Sequence, residues 1–244
     1  MPDTTTKVAL ITGANKGIGF EVARQLGKAG FTVLLGARNL DLGRKAAGIL
    51  ESEGIHAQAI ELDIINAGTI EAAAKTISTE FKKLDVLVNN AGIILQGDGL
   101  PGAASLDAVE TTFKTNFLGP VAVTQAMLPL LREAPAARIV NVSSGLGSIS
   151  QNNDPNWPYA QVKYLGYNGS KAALNMFTVH LAWELRDTNI KVNSADPGYT
   201  ATDLNQNRGH QTIEEGAAET VRLALLPPDG PTGSFSDNAG SVPW

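Results

Sequence analysis

Short runs rich in β-branched residues alternate with longer stretches whose apolar residues recur every three or four positions, and the alternation fills most of the chain. The short runs lie at 8–12, 31–35, 57–62, 86–89, 137–142 and 190–194. The helix-period stretches lie at 18–29, 41–53, 68–82, 106–131 and 167–186; another, 214–226, leads to a last short run near 233–235. Alternating periods of this kind predict strand–helix–strand units and a mainly parallel sheet. Val86-Leu87-Val88 is apolar at successive positions, as in a strand covered on both faces. No linker or internal repeat divides the chain, so residues 1–244 are expected to form one α/β domain: a doubly wound sheet of about seven mainly parallel strands, with helices on both faces.

A net charge of −5 excludes sequence-independent nucleic-acid binding, which needs a basic surface. The absence of cysteine excludes disulfides, thiolate catalysis and cysteine-based zinc sites. His56, His180 and His210 are too scattered for a His-Glu-x-x-His site, and no metal is expected. The start, Met-Pro-Asp-Thr-Thr-Thr-Lys, lacks the basic and apolar regions of a signal peptide, and no run reaches membrane-spanning length. A cytoplasmic protein without membrane attachment is expected.

The first strand runs into Thr12-Gly13-Ala14-Asn15-Lys16-Gly17-Ile18-Gly19, after which a helix begins. Glycines there let the chain turn tightly and bring backbone N–H groups against a pyrophosphate at a helix N-terminus. The expected fold is thus Rossmann-like, although the spacing is G-x-x-x-G-x-G. At the end of the second strand, where an NAD site usually carries an acid for the ribose 2′-hydroxyl, the sequence reads Gly36-Ala37-Arg38-Asn39. Arg38, with Lys16 in the glycine turn, suits a 2′-phosphate instead, so NADPH/NADP+ is expected over NADH.

Tyr167 and Lys171 stand four apart at the start of a helical stretch and therefore share a face. An adjacent ammonium favours an ionised phenol, which makes Tyr167 a candidate proton donor or acceptor. Tyr159 and Lys163 have the same spacing but follow Trp157-Pro158 in an irregular stretch, so the first pair is preferred. Ser143 and Ser144 follow the fifth strand, where a hydroxyl can bind a carbonyl oxygen; two adjacent serines equally fit a plain strand end.

Thr12-Gly13-x-x-x-Gly17-x-Gly19, Asn89-Asn90-Ala91-Gly92, Asn116, Ser144, Tyr167-x-x-x-Lys171 and Pro197-Gly198-x-x-x-Thr202 occur in that order. The chain resembles the short-chain dehydrogenase/reductase superfamily over nearly its whole length, and within it most resembles NADPH-dependent carbonyl reductases. The resemblance implies that Ser144, not Ser143, polarises the substrate and that Tyr167 is the general acid. It implies that Lys171 binds the nicotinamide ribose and lowers the phenol's pKa, and that Asn116 distorts its helix and holds a water of a proton relay. Asp63 and Ile64 would meet adenine, Asn90 the adenosine side with Ala91 and Gly92 beside it, and Pro197, Gly198 and Thr202 the nicotinamide. Two departures stand out. The stretch from Ser144 to Tyr167 is about ten residues longer than in many members, and Leu42 sits near a second arginine of some carbonyl reductases.

Segments 145–166 and 199–212 break the rhythm and are expected to rim the substrate site, with Leu95, Leu146, Trp157, Tyr159, Tyr199 and Leu204 as candidate lining. The far side of the catalytic helix shows Gly169, Ala173, Met176, His180 and Trp183, a face expected to be covered. A second copy in a homodimer would cover it, or segment 145–166 in a monomer. The expected activity is NADPH-dependent reduction of a small-molecule ketone or aldehyde. The rival readings are a same-fold alcohol dehydrogenase working oxidatively on one metabolite, and a non-catalytic NADPH sensor.

Overall fold

The computed structural model describes residues 6–244; the first five residues of the polar start lie outside them. The sheet has eight strands: β1 (Lys7–Thr12), β2 (Phe31–Ala37), β3 (Ala57–Glu61), β4 (Val86–Asn89), β5 (Arg138–Val142), β6 (Lys191–Ala195), β7 (Phe235–Asp237) and β8 (Gly240–Ser241). Their order is β3-β2-β1-β4-β5-β6-β7-β8, and every pairing is parallel except that of β7 with β8. The eighth strand is a two-residue return after the turn at Asn238-Ala239, too short to leave a periodic signal.

Eight helices connect them: α1 (Gly17–Lys28), α2 (Leu40–Ser52), α3 (Ala67–Glu80), α4 (Leu106–Phe113), α5 (Gly119–Arg132), α6 (Ile149–Asn153), α7 (Leu165–Glu184) and α8 (Ile213–Ala224). Successive side chains of a strand point to opposite faces, and each face here builds its own core. Val8, Leu10 and Leu87 pack with Ile77, Met127 and Leu181 from α3, α5 and α7. Ala9, Ile11 and Val88 pack with Leu26, Leu50 and Val221 from α1, α2 and α8. No helix among the described residues is long and apolar enough to cross a membrane.

The periodic stretch 106–131 is not one α-helix. A π-turn at Lys114–Leu118 separates α4 from α5, and the Gly119 N–H reaches the Lys114 carbonyl five residues back. Pro120 explains the location, because it has no N–H to offer the Asn116 carbonyl four residues before it. Segment 145–166 is also more ordered than a long loop, holding a 3₁₀ turn at Gly145–Gly147 and the short α6. It does not lie over the far side of α7. Met176 and Trp183 are 57% and 68% exposed there, and only the Gly169 end is met, by Phe113 of α4.

Candidate active site

The order change between β1 and β4 opens a crevice at the carboxyl ends of the strands, the place where such sheets bind ligands. Gly13 (φ +64°) and Gly17 (φ +60°) both adopt the left-handed conformation that the turn from β1 into α1 requires. Asn15, Lys16 and Ile18 complete this turn. α1 has no side-chain cap and no acid in its first turn, so its leading N–H groups and positive dipole end are left for an anion. Only a methyl of Thr202 lies within 4 Å of the side-chain position that Gly17 lacks. This open cradle fits a dinucleotide pyrophosphate.

Around the turn, several side chains already have partners. Asn90 Nδ2 donates to the Thr12 and Gly13 carbonyls at 2.8 and 3.3 Å, and a side chain at Gly19 would overlap it. Asn90 thus shapes the glycine turn. Thr12 Oγ1 accepts the N–H groups of Asn90 and Ala91. Ile64 is buried against Gly119, and Asp63 is half-buried just beyond β3, its Oδ1 accepting the Ile65 N–H. Lys16 Nζ lies 2.6 Å from Asp203 Oδ2, both groups exposed, and so ties the glycine turn to segment 199–212. Arg38 is exposed and has no ion-pair partner among the described residues.

The catalytic candidates converge on the first turns of α7. Tyr167 is 7% exposed and Lys171 4%, with Lys171 Nζ 5.7 Å from the phenol ring centre. Lys171 donates to the Val142 carbonyl at 2.7 Å. Gly92 adds no side chain between Lys171 and Asn116. The Asn116 amide is buried and paired with both the N–H and C=O of Ile93, and with Ser170 Oγ. The two serines separate cleanly: Ser143 Oγ bonds Asn175 Oδ1 in the core at 2.6 Å, whereas Ser144 is half-buried and begins the 3₁₀ turn beyond the strand. Ser144 Oγ accepts the Leu146 N–H, which leaves its own proton free to donate. The Tyr159–Lys163 pair is not a second site, since Lys163 Nζ is spent on the main-chain and side-chain oxygens of Asn152.

One expected effect runs the other way. Burial pushes the Tyr167 phenol up to about 12, with the Ser144 hydrogen bond opposing it. Burial also pushes Lys171 down to about 8, so its ammonium does not overcome the desolvation of the phenol.

Trp157, Tyr159 and Tyr199 form a continuous aromatic row, with ring centres 5.5 and 6.1 Å apart, and His210 extends it at 5.9 Å from Tyr199. Leu95 and Leu146 are half-buried, and Leu204 and Tyr199 are exposed on segment 199–212. Gly198 turns at φ +66° after Pro197, ahead of Thr202.

Sequence reasoning missed Asp98. Its two carboxylate oxygens accept the N–H groups of Gly166 and Tyr167, each at 2.8 Å, and so anchor the first turn of α7 at Tyr167. Nothing local signals this, because the acid caps a helix 68 residues away. Asp98→Ala leaves those N–H groups without an acceptor. It is expected to cost about 2–3 kcal/mol in urea unfolding and to lower kcat more than it raises KM.

Fold and site together define an α/β oxidoreductase that uses a nicotinamide cofactor. The chain belongs to the short-chain dehydrogenase family, whose model, described as short chain dehydrogenase, matches residues 7–213. A (+)-neomenthol dehydrogenase of Arabidopsis thaliana is 33% identical, covering 96% of this chain and 97% of its own. A salutaridine reductase of Papaver somniferum is 32% identical, at 97% and 96% coverage. The crystal structure of NADPH-bound carbonyl reductase from chicken fatty liver superposes with a TM-score of 0.85 at 26% identity, covering 98% of this chain and 99% of that one. The alignment to the Arabidopsis relative runs over 293 positions, more than this chain's length, so that relative carries stretches absent here.

Proposed function

We propose that the protein is an NADPH-dependent carbonyl reductase that converts ketones or aldehydes to alcohols. The observation that carries this reading is a buried phenol, Tyr167, beside the buried Lys171, whose ammonium is held on the Val142 carbonyl two residues before Ser144. In this reading Ser144 and Tyr167 face one substrate oxygen. Ser144 donates to the substrate carbonyl and polarises it. Tyr167 gives its proton to the alkoxide that develops there. When bound, the reduced nicotinamide supplies hydride to the carbonyl carbon. Lys171 orients the ribose, and Asn116 offers its main-chain carbonyl, which has no α-helical donor because of Pro120, to a water that returns the proton. A phenol held up at about 12 stays protonated at neutral pH, the form that donation to an alkoxide requires.

Gly13, Asn15, Lys16, Gly17, Ile18, Gly19, Ala91, Gly92, Pro197, Gly198 and Thr202 hold the cofactor in this reading, with Asp63 at its adenine end. The NADPH bound in the chicken structure supports the phosphorylated cofactor. The row Trp157–Tyr159–Tyr199, with Leu95, Leu146 and Leu204, suits an apolar ketone. Such a wall discriminates weakly, by about 1–3 kcal/mol per methylene, so a broad substrate range is expected. Loss of reduced-nicotinamide absorbance across a panel of ketones and aldehydes tests the proposal: NADPH consumed much faster than NADH supports it. Binding of NADPH without consumption of any carbonyl would overturn it in favour of a sensor.

A further inference from the structure

Asn152 of α6 takes no part in the mechanism above, yet its side-chain amide uses its whole hydrogen-bonding capacity, two donors and two acceptor positions. Its Nδ2 donates to the Leu146 carbonyl at 2.9 Å and to the Ser148 carbonyl at 2.8 Å. Its Oδ1 accepts Lys163 Nζ at 3.0 Å and Asn168 Nδ2 at 3.2 Å. Lys163 Nζ also donates to the Asn152 main-chain carbonyl at 2.9 Å, and Asn168 Nδ2 to the Val162 carbonyl at 3.0 Å. Asn152, Lys163 and Asn168 are all half-buried. No carboxylate pairs with Lys163 among the described residues, so its charge is directed at Asn152.

The partners of this amide lead to both reacting groups. Leu146, whose carbonyl it holds, gives its own N–H to Ser144 Oγ at 3.2 Å. Asn168 directly follows Tyr167 in α7. The 3₁₀ turn lies tight on the same helix, since a side chain at Gly147 would stand 2.8 Å from the Lys171 backbone.

We propose that Asn152 and Lys163 are positioning residues of the reduction: together they staple the turn that follows Ser144 to the helix that carries Tyr167. The inference rests on the reductase reading for its effect on rate, but not for the tie itself. Bonds between neutral groups are individually modest, whereas the two from the Lys163 ammonium are charge-assisted and stronger. Both end on Asn152, one on its main chain and one on its side chain, so loss of the cation loosens the amide that holds Leu146 and Asn168. Two hydroxyls that must meet one substrate oxygen tolerate little drift, and a misplacement on the order of 1 Å lowers the rate by about 100-fold. The lysine of the Tyr159–Lys163 spacing thereby serves the Tyr167 site instead of a site of its own.

Lys163→Met keeps the reach of the side chain without its donors, Lys163→Arg keeps a cation, and Asn152→Ala removes the amide. Lys163→Met and Asn152→Ala are expected to lower kcat by about 10- to 100-fold, with the carbonyl KM and the NADPH Kd within about threefold of the wild type. Lys163→Arg is expected to restore kcat to within about threefold. Amide hydrogen exchange, followed by mass spectrometry without substrate, is expected to be about tenfold faster in Lys163→Met and Asn152→Ala over residues 145–153 and 163–170, and unchanged in the sheet. Unchanged exchange over those two stretches would overturn the staple whatever the activity. Faster exchange with full kcat would overturn the positioning role. So would exchange accelerated throughout the sheet with kcat and KM degraded together, which is the mark of general stability. A wild type that reduces no carbonyl would count against the reductase reading alone, because the exchange measurement still decides whether the two elements are tied.

Discussion

Replacing Tyr167 with phenylalanine is expected to lower kcat for carbonyl reduction by about 10³-fold, with NADPH affinity within about threefold of the wild type. The ring stays, so the packing of a residue that is 7% exposed is preserved, and only the hydroxyl is lost. Without it, the alkoxide must take its proton from solvent, and the site's buried position makes that slow. Tyr159→Phe is the control. It keeps the aromatic row with Trp157 and Tyr199 and should retain most of the turnover, because Lys163 is tied to Asn152 and no ammonium faces the Tyr159 hydroxyl. Stopped-flow measurement of the chemical step in both variants decides the matter. A dead Tyr159→Phe beside an active Tyr167→Phe would reverse the assignment. In the wild type the phenol's raised pKa predicts that reduction holds its rate well above pH 10 before the donor is lost. Oxidation, which needs the phenolate, should still be rising there.

The architecture was largely legible because its signals are local. Alternating periods placed the strands and helices within a residue or two, and the glycine turn was fixed by two positions that need positive φ. The interrupted helix at Lys114–Leu118 was less visible, since apolar spacing continues through a π-turn; Gly119-Pro120 was the available clue. The resemblance chose Ser144 over Ser143 where spacing alone could not, and the fold gives the physical reason: adjacent strand residues meet opposite faces, and Asn175 takes Ser143 from across the core. Asp98 was illegible for a related reason. It accepts backbone N–H groups far along the chain, and no spacing rule links an acid to a helix start 68 residues away. Lys16 was read as a phosphate ligand from its place in the turn, yet it meets Asp203, which lies in a loop whose path the sequence did not specify.

Cofactor choice turns on that last difference. Arg38→Ala is expected to raise the KM for NADPH by roughly 10- to 100-fold and to change the KM for NADH by less than about threefold, because a charge-assisted bond to phosphate is worth about 1.5–3 kcal/mol. The guanidinium is exposed and unpaired among the described residues, so it gives up no protein partner to bind an anion. It sits just before α2, where Asn39 Oδ1 caps the Leu42 N–H and the helix end adds a favourable dipole. The nearby carboxylate of Asp41 is already paired with Arg44, which limits its repulsion of a phosphate. Lys16→Ala should cost less than Arg38→Ala, since Lys16 must first leave Asp203; an exposed pair of that kind is worth only about 0–1 kcal/mol. Leu42 supplies no second cation, so Arg38 carries most of the discrimination. Initial rates with each cofactor, for both variants, test this ranking. Equal losses with NADPH and NADH would show that Arg38 holds some part the two cofactors share, and the 2′-phosphate assignment would fall.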